Sequence, residues 1–209
     1  MTSVAPSSPT GRKSSSMRTT ILVVLALAAA GLAIVLVNQR RHAYHLASVQ
    51  EGVLYRDGLK SPEQFAATLE KVHPKTVVSL LDPTEVANPS KTQFAKEESL
   101  CAAKGAKLVR IPVALGGWPT SEDVRQFIKI VSDPQDQPVL VHCAQGVRRT
   151  GFFVAAYQES VLGYDAAKAK DSIVSFGHSG NTIDDVKRFI DRYDPKTMTA
   201  PGDLGRSSE

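Results

Sequence analysis

The chain has 209 residues, a formal net charge of +4 and a hydrophobic fraction of 42%. After the ends are trimmed, the apolar segment near the N-terminus included, about 150 residues remain, which is enough for one well-buried domain. The mild basic excess lies partly in the terminal segments and gives no reason to expect a nucleic-acid partner. Two cysteines exclude the disulfide framework of a small secreted domain.

The first 37 residues divide into two unlike segments. Residues 1–18 are rich in Ser, Thr and Pro, carry basic residues and are predicted to be disordered. Residues 19–37 contain no charged residue. As a helix they would be about 28 Å long, close to the roughly 30 Å hydrocarbon core of a bilayer. The segment is therefore predicted to be a single transmembrane helix, which makes the chain a single-pass membrane protein with a short N-terminal segment.

A cleaved signal peptide is the alternative interpretation of this apolar segment. Small residues at 28–30 offer a cleavage site, although the apolar run continues beyond them to residue 37. Cleavage would give a secreted protein. The positive-inside rule does not choose an orientation, because equal numbers of basic residues flank the segment. These residues are Arg12, Lys13 and Arg18 before it, and Arg40, Arg41 and Arg56 after it.

Strand-like and helix-like patterns alternate between residues 46 and 195, the predicted limits of one globular domain. Apolar, β-branched runs predict strands at 53–56, 76–81, 107–112 and 139–141. Caps and apolar periodicity predict helices that begin at Pro62 and Thr120 and helices over 94–104, 152–162, 165–176 and 183–193. Segments 82–85 and 113–119 are predicted loops, and 196–209 a disordered tail. The alternation predicts an α/β fold with a mainly parallel central sheet flanked by helices.

Residues 139–151 are the most informative stretch of the chain. An apolar strand ends in His142-Cys143, and a Gly-containing loop leads to Arg149-Thr150 and an apolar helix. A helix N-terminus offers unpaired N–H groups and a partial positive charge, which suit a phosphate group. Arg149 can hold two phosphate oxygens at once. A cysteine in this field should have a lowered pKa, and its thiolate can attack phosphorus.

The string His142-Cys143-x-x-Gly146-x-x-Arg149-Thr150-Gly151 resembles the signature loop of the protein tyrosine phosphatase superfamily, in particular its compact dual-specificity branch and the bacterial relatives of that branch. The resemblance implies the cysteine phosphatase fold and hydrolysis of phosphate monoesters through a phosphocysteine intermediate. Cys143 would be the nucleophile, while Thr150 and His142 would tune the thiolate. The residues expected to cradle the phosphate are Ala144, Gln145, Gly146, Val147, Arg148 and Arg149. A rhodanese-type sulfurtransferase also carries a Cys in an anion-binding loop, but such a loop does not usually run into Arg-Thr-Gly.

The chain departs from the family where the general acid is expected. Related phosphatases usually protonate the leaving oxygen with an Asp roughly thirty residues before the nucleophile. Here Leu115-Gly116-Gly117 stands where some relatives carry Asp-Gly-Gly, and Trp118-Pro119-Thr120 where others carry Trp-Pro-Asp. Another carboxylate would have to donate the proton, or the enzyme works without a donor. The candidates are Asp123 and Glu122, which also suit helix capping, and Asp82 and Glu85, which also suit a solvated loop.

Other residues leave two interpretations open. Arg148 is a surface charge or a ligand for a second phosphate or acidic flank of the substrate, a role for which Arg56 and Arg110 are weaker candidates. Trp118 is a wall of the substrate cleft or a core residue. Cys101 is a core residue or a resolving thiol for an oxidised Cys143.

The sequence thus favours a membrane-anchored cysteine phosphatase of the dual-specificity type. Its partner would be a phosphorylated protein, with phosphotyrosine or phosphoserine/threonine as the reacting group. A phospholipid such as a phosphoinositide, or a small phosphorylated molecule, is the alternative substrate. A weakly active pseudophosphatase that binds phosphorylated partners is the alternative function, because the usual Asp is missing. No cofactor is implied, and the histidine spacing predicts no metal site.

Overall fold

The computed structural model describes residues 21–32, 45–175 and 180–205. The chain forms two compact units, Met1–Arg41 and His42–Glu209. In the first unit, residues 21–32 form a helix, α1, with exposed side chains. The rest of the predicted transmembrane segment 19–37, and the segment 1–18 predicted to be disordered, lie outside the described residues. None of the helices described is both long and apolar enough to span a bilayer.

The second unit is built on a five-stranded sheet with the order β1-β2-β5-β3-β4. Its strands are β1 (Ala47–Gln50), β2 (Leu54–Gly58), β3 (Thr76–Ser79), β4 (Lys107–Arg110) and β5 (Val139–Cys143). Strands β2, β5, β3 and β4 run parallel, whereas β1 pairs antiparallel with β2. The sheet is therefore mixed and mainly parallel, as predicted. The carboxyl ends of the four parallel strands meet at one edge, where α/β proteins place their ligands.

Eight helices of this unit are described. They are α2 (Pro62–Val72), α3 (Pro83–Val86), α4 (Thr92–Ala95), α5 (Glu97–Ala103), α6 (Ser121–Ser132), α7 (Arg148–Ser160), α8 (Ala166–Ser175) and α9 (Gly180–Ile190), and a 3₁₀ helix, Pro201–Gly205, follows. The predicted starts of α2 and α6 are confirmed. The Ser61 hydroxyl accepts the N–H of Gln64 at 3.2 Å, and Thr120 and Asp123 form a reciprocal capping box.

The helices cover the sheet on both faces, because alternate strand residues point to opposite sides. One face carries the larger core, in which Val78, Val139 and Val141 pack with residues of α6, α7, α8 and α9. The other face carries the smaller core, in which Val77 and Leu140 pack with residues of α2 and α5. The sheet is thus buried between two layers, as a parallel sheet requires.

Three predictions of local structure differ from the fold. Segment 82–85, predicted as a loop, contains helix α3, because Asp82 and Glu85 form a capping box around Pro83 at its first position. The helix predicted over 94–104 is two helices, α4 and α5, which meet at Lys96. The edge strand β1 was not predicted, since its four residues have no apolar alternation long enough to identify a strand.

Residues 196–209 were predicted to be a disordered tail, but the structure shows an ordered segment as far as Gly205. Thr199 and Asp194 pair as an isolated bridge, and Ala200 is fully buried. The N–H of Gly202 donates to the carbonyl of Pro119 at 3.2 Å. Polar, Gly- and Pro-containing composition suggested disorder, but these backbone contacts to a distant loop anchor the segment. Residues 206–209 lie outside the described part of the chain.

We expect Asp203→Asn to lower the free energy of unfolding by about 1–2 kcal/mol, because a charge-assisted pair of hydrogen bonds to a buried serine is lost. The Asp203 carboxylate accepts the N–H of Ser121 at 3.1 Å and also its hydroxyl. Urea unfolding measures the change, with Asp171→Asn on an exposed position as the control. Equal midpoints for the two variants would show that the contact between Asp203 and Ser121 does not contribute to stability.

Candidate active site

Cys143 is the last residue of β5 and lies at the carboxyl edge of the sheet with 2% of its surface exposed. The N–H of Gly146 donates to its Sγ at 3.2 Å. Burial alone would raise the pKa of this thiol. The Arg149 guanidinium, the Thr150 hydroxyl and the backbone N–H groups of Thr150 and Gln145 outweigh that effect and hold the pKa below its ordinary value. The site therefore favours a thiolate.

The loop after Cys143 is held against the neighbouring strand β2. Gly146 has a φ of 69°, and an added Cβ there would lie 2.4 Å from the carbonyl oxygen of Asp57. Below the loop, the fully buried Arg56 donates to the carbonyl of Gly146. Arg56 is thus enclosed in the protein and does not serve as a surface ligand for a second phosphate.

Asp57 fixes the end of β2 beneath the same loop. It accepts the N–H of Gly58 at 2.7 Å, the Thr68 hydroxyl at 2.6 Å and the Gln64 amide at 3.0 Å. Burial raises the pKa of Asp57 to about 6, although these hydrogen bonds oppose the rise. Helix α2 therefore braces the strand on which the loop rests.

Arg149 lies in the first turn of α7 and is held in a fork by Glu85. Its Nη2 lies 3.0 Å from Glu85 Oε1, its Nη1 contacts Oε2, and Nη1 also donates to the Leu80 carbonyl at 3.1 Å. Both side chains are more than nine-tenths buried. The residue at the N-cap position of α7, Val147, provides no side-chain cap. The first N–H groups of this helix are thus not used by a capping side chain and, with Arg149, can bind an anion.

His142 points away from the cleft and forms a buried ion pair. Its Nε2 lies 2.7 Å from Oε1 of Glu97, and both side chains are fully buried. Burial opposes a charge on either group. Nevertheless, the carboxylate raises the pKa of His142, and the imidazolium, with help from Ser79 and Arg110, lowers the pKa of Glu97. His142 therefore anchors the strand that carries Cys143 and is not placed as a base.

We expect Glu97→Gln to destabilise the protein more at pH 6 than at pH 9. The raised pKa of His142 gives stability that is present at low pH and lost as the pH rises through the folded-state pKa. The lowered pKa of Glu97 gives stability that is present above its unfolded-state value. Near pH 6 both His142 and Glu97 are charged. At higher pH His142 loses its proton, so the wild-type protein no longer has the ion pair that Glu97→Gln removes. Urea unfolding at the two pH values measures this, and a pH-independent difference would contradict it.

Arg148 connects three parts of the fold around the cleft. Its guanidinium pairs with Asp185 of α9 and donates to the carbonyls of Gly117 at 2.7 Å and Gly116 at 2.9 Å. It also lies 4.8 Å from the ring centre of Phe152. Arg148 is therefore not a free surface charge but a residue that pins the loop 113–119. It also lines the cleft, and its contact with a phosphate of the substrate stays a prediction.

The four candidate general acids have different contacts in the structure. Asp123 is occupied by the Thr120 capping box, and Glu122, with 79% of its side chain exposed, pairs with Arg125. Asp82 caps α3, and hydrogen bonds from Thr84 hold its pKa below the usual range, which disfavours a proton donor. Of the four candidates only Glu85 reaches the cleft, and it is paired with Arg149.

A cleft of about 280 Å³ opens at Cys143. The cleft is lined by Gly116 and by Leu115, which has 64% of its surface exposed. The segment in the position of the acid loop of related phosphatases therefore flanks the nucleophile, but it contributes no carboxylate to the cleft. The remaining lining residues are Glu85, Lys91, Ala144, Gln145, Arg148 and Arg149.

Four features of the site have no signal in the sequence. The Arg149–Glu85 fork and the His142–Glu97 pair join residues far apart in the chain, and Lys91 reaches the cleft from a loop with no motif. His45 also contacts the phosphate loop, with Nδ1 2.7 Å from the carbonyl oxygen of Gln145. Such pairings depend on how the strand ends converge, which spacing alone does not give.

The remaining open interpretations are resolved by packing. Cys101 lies in the core on the opposite face of the sheet from Cys143, and burial raises its pKa to about 12, so it is a core residue. The ring centre of Trp118 lies 6.0 Å from that of Phe152 and 6.3 Å from that of Phe189. Trp118 thus packs against the core and does not line the cleft. Arg110 pairs with Glu97. Among the described residues, no group of three or more His, Cys, Asp and Glu side chains is arranged to hold a metal ion.

The fold and the loop define a domain of the cysteine phosphatase class. Residues 35–190 match the family described as DSP-PTPase phosphatase fused to NAD+ kinase, and the chain belongs to this family. The match covers the sheet, the loop with Cys143 and Arg149, and helices α2 to α9.

Similar proteins include examples from plants and bacteria. The probable chloroplastic NAD kinase 2 of Oryza sativa subsp. japonica is 30% identical over 116 residues, which is 56% of this chain and 11% of that protein. Inositol diphosphatase DSP2 of the same plant is 28% identical over 121 residues, 55% of this chain and 53% of that protein. The dual specificity protein phosphatase TpbA of Pseudomonas aeruginosa is 29% identical over 147 residues, 67% of this chain and 57% of that protein. The matched part of this chain thus spans just over half of the length of the two phosphatases and about a tenth of the NAD kinase.

Solved structures share the fold. The core catalytic domain of the PP-IP phosphatase SIW14 from S. cerevisiae superposes with a TM-score of 0.58 at 22% identity, over 74% of this chain and 88% of that one. TpbA of P. aeruginosa gives a TM-score of 0.57 at 22% identity, over 74% and 88% of the two chains. At this level of identity the likeness establishes the fold alone.

Proposed function

We propose that this protein hydrolyses phosphate monoesters through a phosphocysteine intermediate on Cys143. The observation that carries the proposal is a thiol of lowered pKa at the base of a loop, beside an arginine locked in a fork. Relatives of this chain include a dual specificity protein phosphatase and an inositol diphosphatase. Membership of the phosphatase family supports the same activity.

The proposed reaction has two displacements at phosphorus. In the first, Cys143 Sγ forms a bond to phosphorus as the bond from phosphorus to the substrate oxygen breaks, and that oxygen leaves with the electron pair. In the second, water attacks the phosphocysteine, and Sγ leaves as a thiolate with release of inorganic phosphate. Arg149 and the loop N–H groups stabilise the charge that spreads over the phosphoryl oxygens. Thr150 stabilises the thiolate as it leaves.

The substrate should carry a leaving group that departs without protonation by an enzyme carboxylate. Within the described residues, Glu85 is the carboxylate on the cleft, and its oxygens are bound to Arg149. A phenolate leaves readily, so an aryl phosphate such as phosphotyrosine fits this site better than phosphoserine or phosphothreonine. A solved structure of TpbA holds phosphotyrosine, which supports the same choice.

A small phosphorylated molecule is the second candidate substrate. A phosphate leaving group, as in a diphosphate, also departs without an enzyme acid, since the second pKa of a phosphate monoester is about 6. The relative named inositol diphosphatase DSP2 supports this class. Among the described residues, no carboxylate on the cleft is free to act as an acid, which favours both aryl phosphates and diphosphates over simple alkyl phosphates.

Turnover of an aryl phosphate by the full-length chain tests the proposal, with Cys143→Ser as the control. The expected result is turnover by the wild-type protein that Cys143→Ser abolishes, together with trapping of a phosphorylated thiol after rapid quenching. Phosphopeptide binding without turnover would replace this function with that of a pseudophosphatase.

We further propose that residues 19–37 anchor the protein in a membrane. The run of apolar residues without charge supports an anchor, as does the helical conformation of residues 21–32. Fractionation of cells that express the full-length chain tests it: the protein should resist alkaline carbonate extraction, and a variant without residues 19–37 should not sediment. A mature protein that starts after Ala30 would instead establish signal-peptide cleavage.

A further inference from the structure

Among the residues that the structure describes, three cations line the cleft, and two of them are already paired with carboxylates of the protein. Arg149 is bound by Glu85, and Arg148 is bound by Asp185 and by the carbonyls of the loop 113–119. Their charges are thereby largely balanced before any substrate arrives. A phosphate in the loop after Cys143 would meet Arg149, whereas Arg148 is turned toward its own partners.

Lys91 is the third cation and differs from the arginines. It precedes α4 in a turn fixed by the bond from its N–H to the Asn88 carbonyl at 3.0 Å. Its ammonium lies 5.5 Å from the ring centre of Phe94. Within the part of the chain that the structure describes, it forms no ion pair with a carboxylate. The cleft therefore contains a cation whose charge is balanced by no carboxylate among the described residues.

We infer that Lys91 forms a subsite for a second phosphate group of the substrate. The inference rests on the proposed function, since it concerns the same cleft. With one phosphate held by the loop, a second phosphate of the same molecule would lie in the cleft that Lys91 lines. A lysine ammonium binds phosphate as a point charge without the fixed geometry of an arginine fork, and this tolerates several arrangements of the two phosphates.

The size of the cleft selects the kind of molecule that carries the two phosphates. A volume of about 280 Å³ is at the lower end of pockets for small molecules. It matches a small bisphosphorylated compound. The exposed Leu115 on the same rim offers an apolar contact to a ring that carries the phosphates.

A matched pair of substrates tests the subsite in the full-length chain. Phenyl phosphate carries one phosphate, and catechol bisphosphate carries a second on the neighbouring ring carbon. We expect Lys91→Met to lower kcat/KM for the bisphosphate about tenfold more than for phenyl phosphate, the size of one lost charge-assisted contact. Lys91→Arg should recover most of the loss. The difference should shrink at high salt, because the subsite is open to solvent.

The controls separate the subsite from the catalytic proposal. Lys71→Met, on an exposed position of α2, should leave both substrates unaffected. Equal effects of Lys91→Met on the two substrates would overturn the subsite. Absence of turnover that depends on Cys143 would instead overturn the proposed function. In that case, titration of Cys143→Ser with the bisphosphate, with and without Lys91→Met, still tests the subsite, and equal affinities would exclude it.

Discussion

Gly146→Ala is expected to reduce kcat/KM for an aryl phosphate by about 100-fold or more, because a displacement of roughly 1 Å at a reacting group has an effect of that size. An added Cβ would lie 2.4 Å from the carbonyl oxygen of Asp57 and 2.6 Å from the N–H nitrogen of Gly58. Both are backbone atoms of β2, which sits between β1 and β5 and cannot yield easily. The loop must therefore move away from the strand and shift its N–H groups relative to Cys143.

Gly163→Ala provides the matched control. Gly163 has a φ of 67°, nearly the 69° of Gly146, but an added Cβ there meets no atom within 4 Å. Both substitutions carry the conformational cost of a side chain at positive φ, roughly 1–2 kcal/mol. The close approach to β2 is specific to Gly146. Kinetics and urea unfolding of the two variants separate these effects, and a similar small loss of activity in both would contradict the proposed contact between loop and strand.

The contrast between these glycines shows what the sequence predicts and what it does not. The spacing from Cys143 to Arg149 predicts the phosphate loop, since strand, loop and helix are consecutive in the chain. The reason for glycine at position 146 is different, because the obstructing atoms belong to Asp57 and Gly58. These lie almost ninety residues earlier and become neighbours when β2 pairs with β5.

The same distinction applies to the carboxylates. Local capping patterns predicted the role of Asp123 correctly, because a capping box is complete within four residues. Glu85 satisfies a local pattern as well, as the third residue of α3. Its contact with Arg149, however, spans 64 positions, and nothing in its neighbourhood distinguishes it from a solvated glutamate. Tertiary pairing gave the residue a role that local sequence did not encode.

Glu85→Gln is expected to lower kcat/KM by about 100-fold and the free energy of unfolding by about 3 kcal/mol, because removal of one partner leaves the buried Arg149 guanidinium without its counter-charge. The carboxylate holds Nη1 and Nη2 of Arg149 at once, and the neutral amide offers a single acceptor. Arg149 would then sample positions unsuited to a phosphate. Glu98→Gln is the control, since Glu98 is 75% exposed and pairs loosely with Arg110 at 3.5 Å.

The leaving group decides whether Glu85 positions Arg149 or donates a proton. A positioning residue lowers turnover of nitrophenyl phosphate and of an alkyl phosphate by the same factor, because Arg149 stabilises phosphoryl charge in both reactions. A proton donor matters chiefly for the alkoxide, and its removal would spare the nitrophenolate, which leaves unprotonated. The fork at Arg149 predicts equal factors. A loss confined to the alkyl phosphate would instead make Glu85 the acid that segment 113–119 lacks, with its proton donated once substrate has drawn Arg149 away.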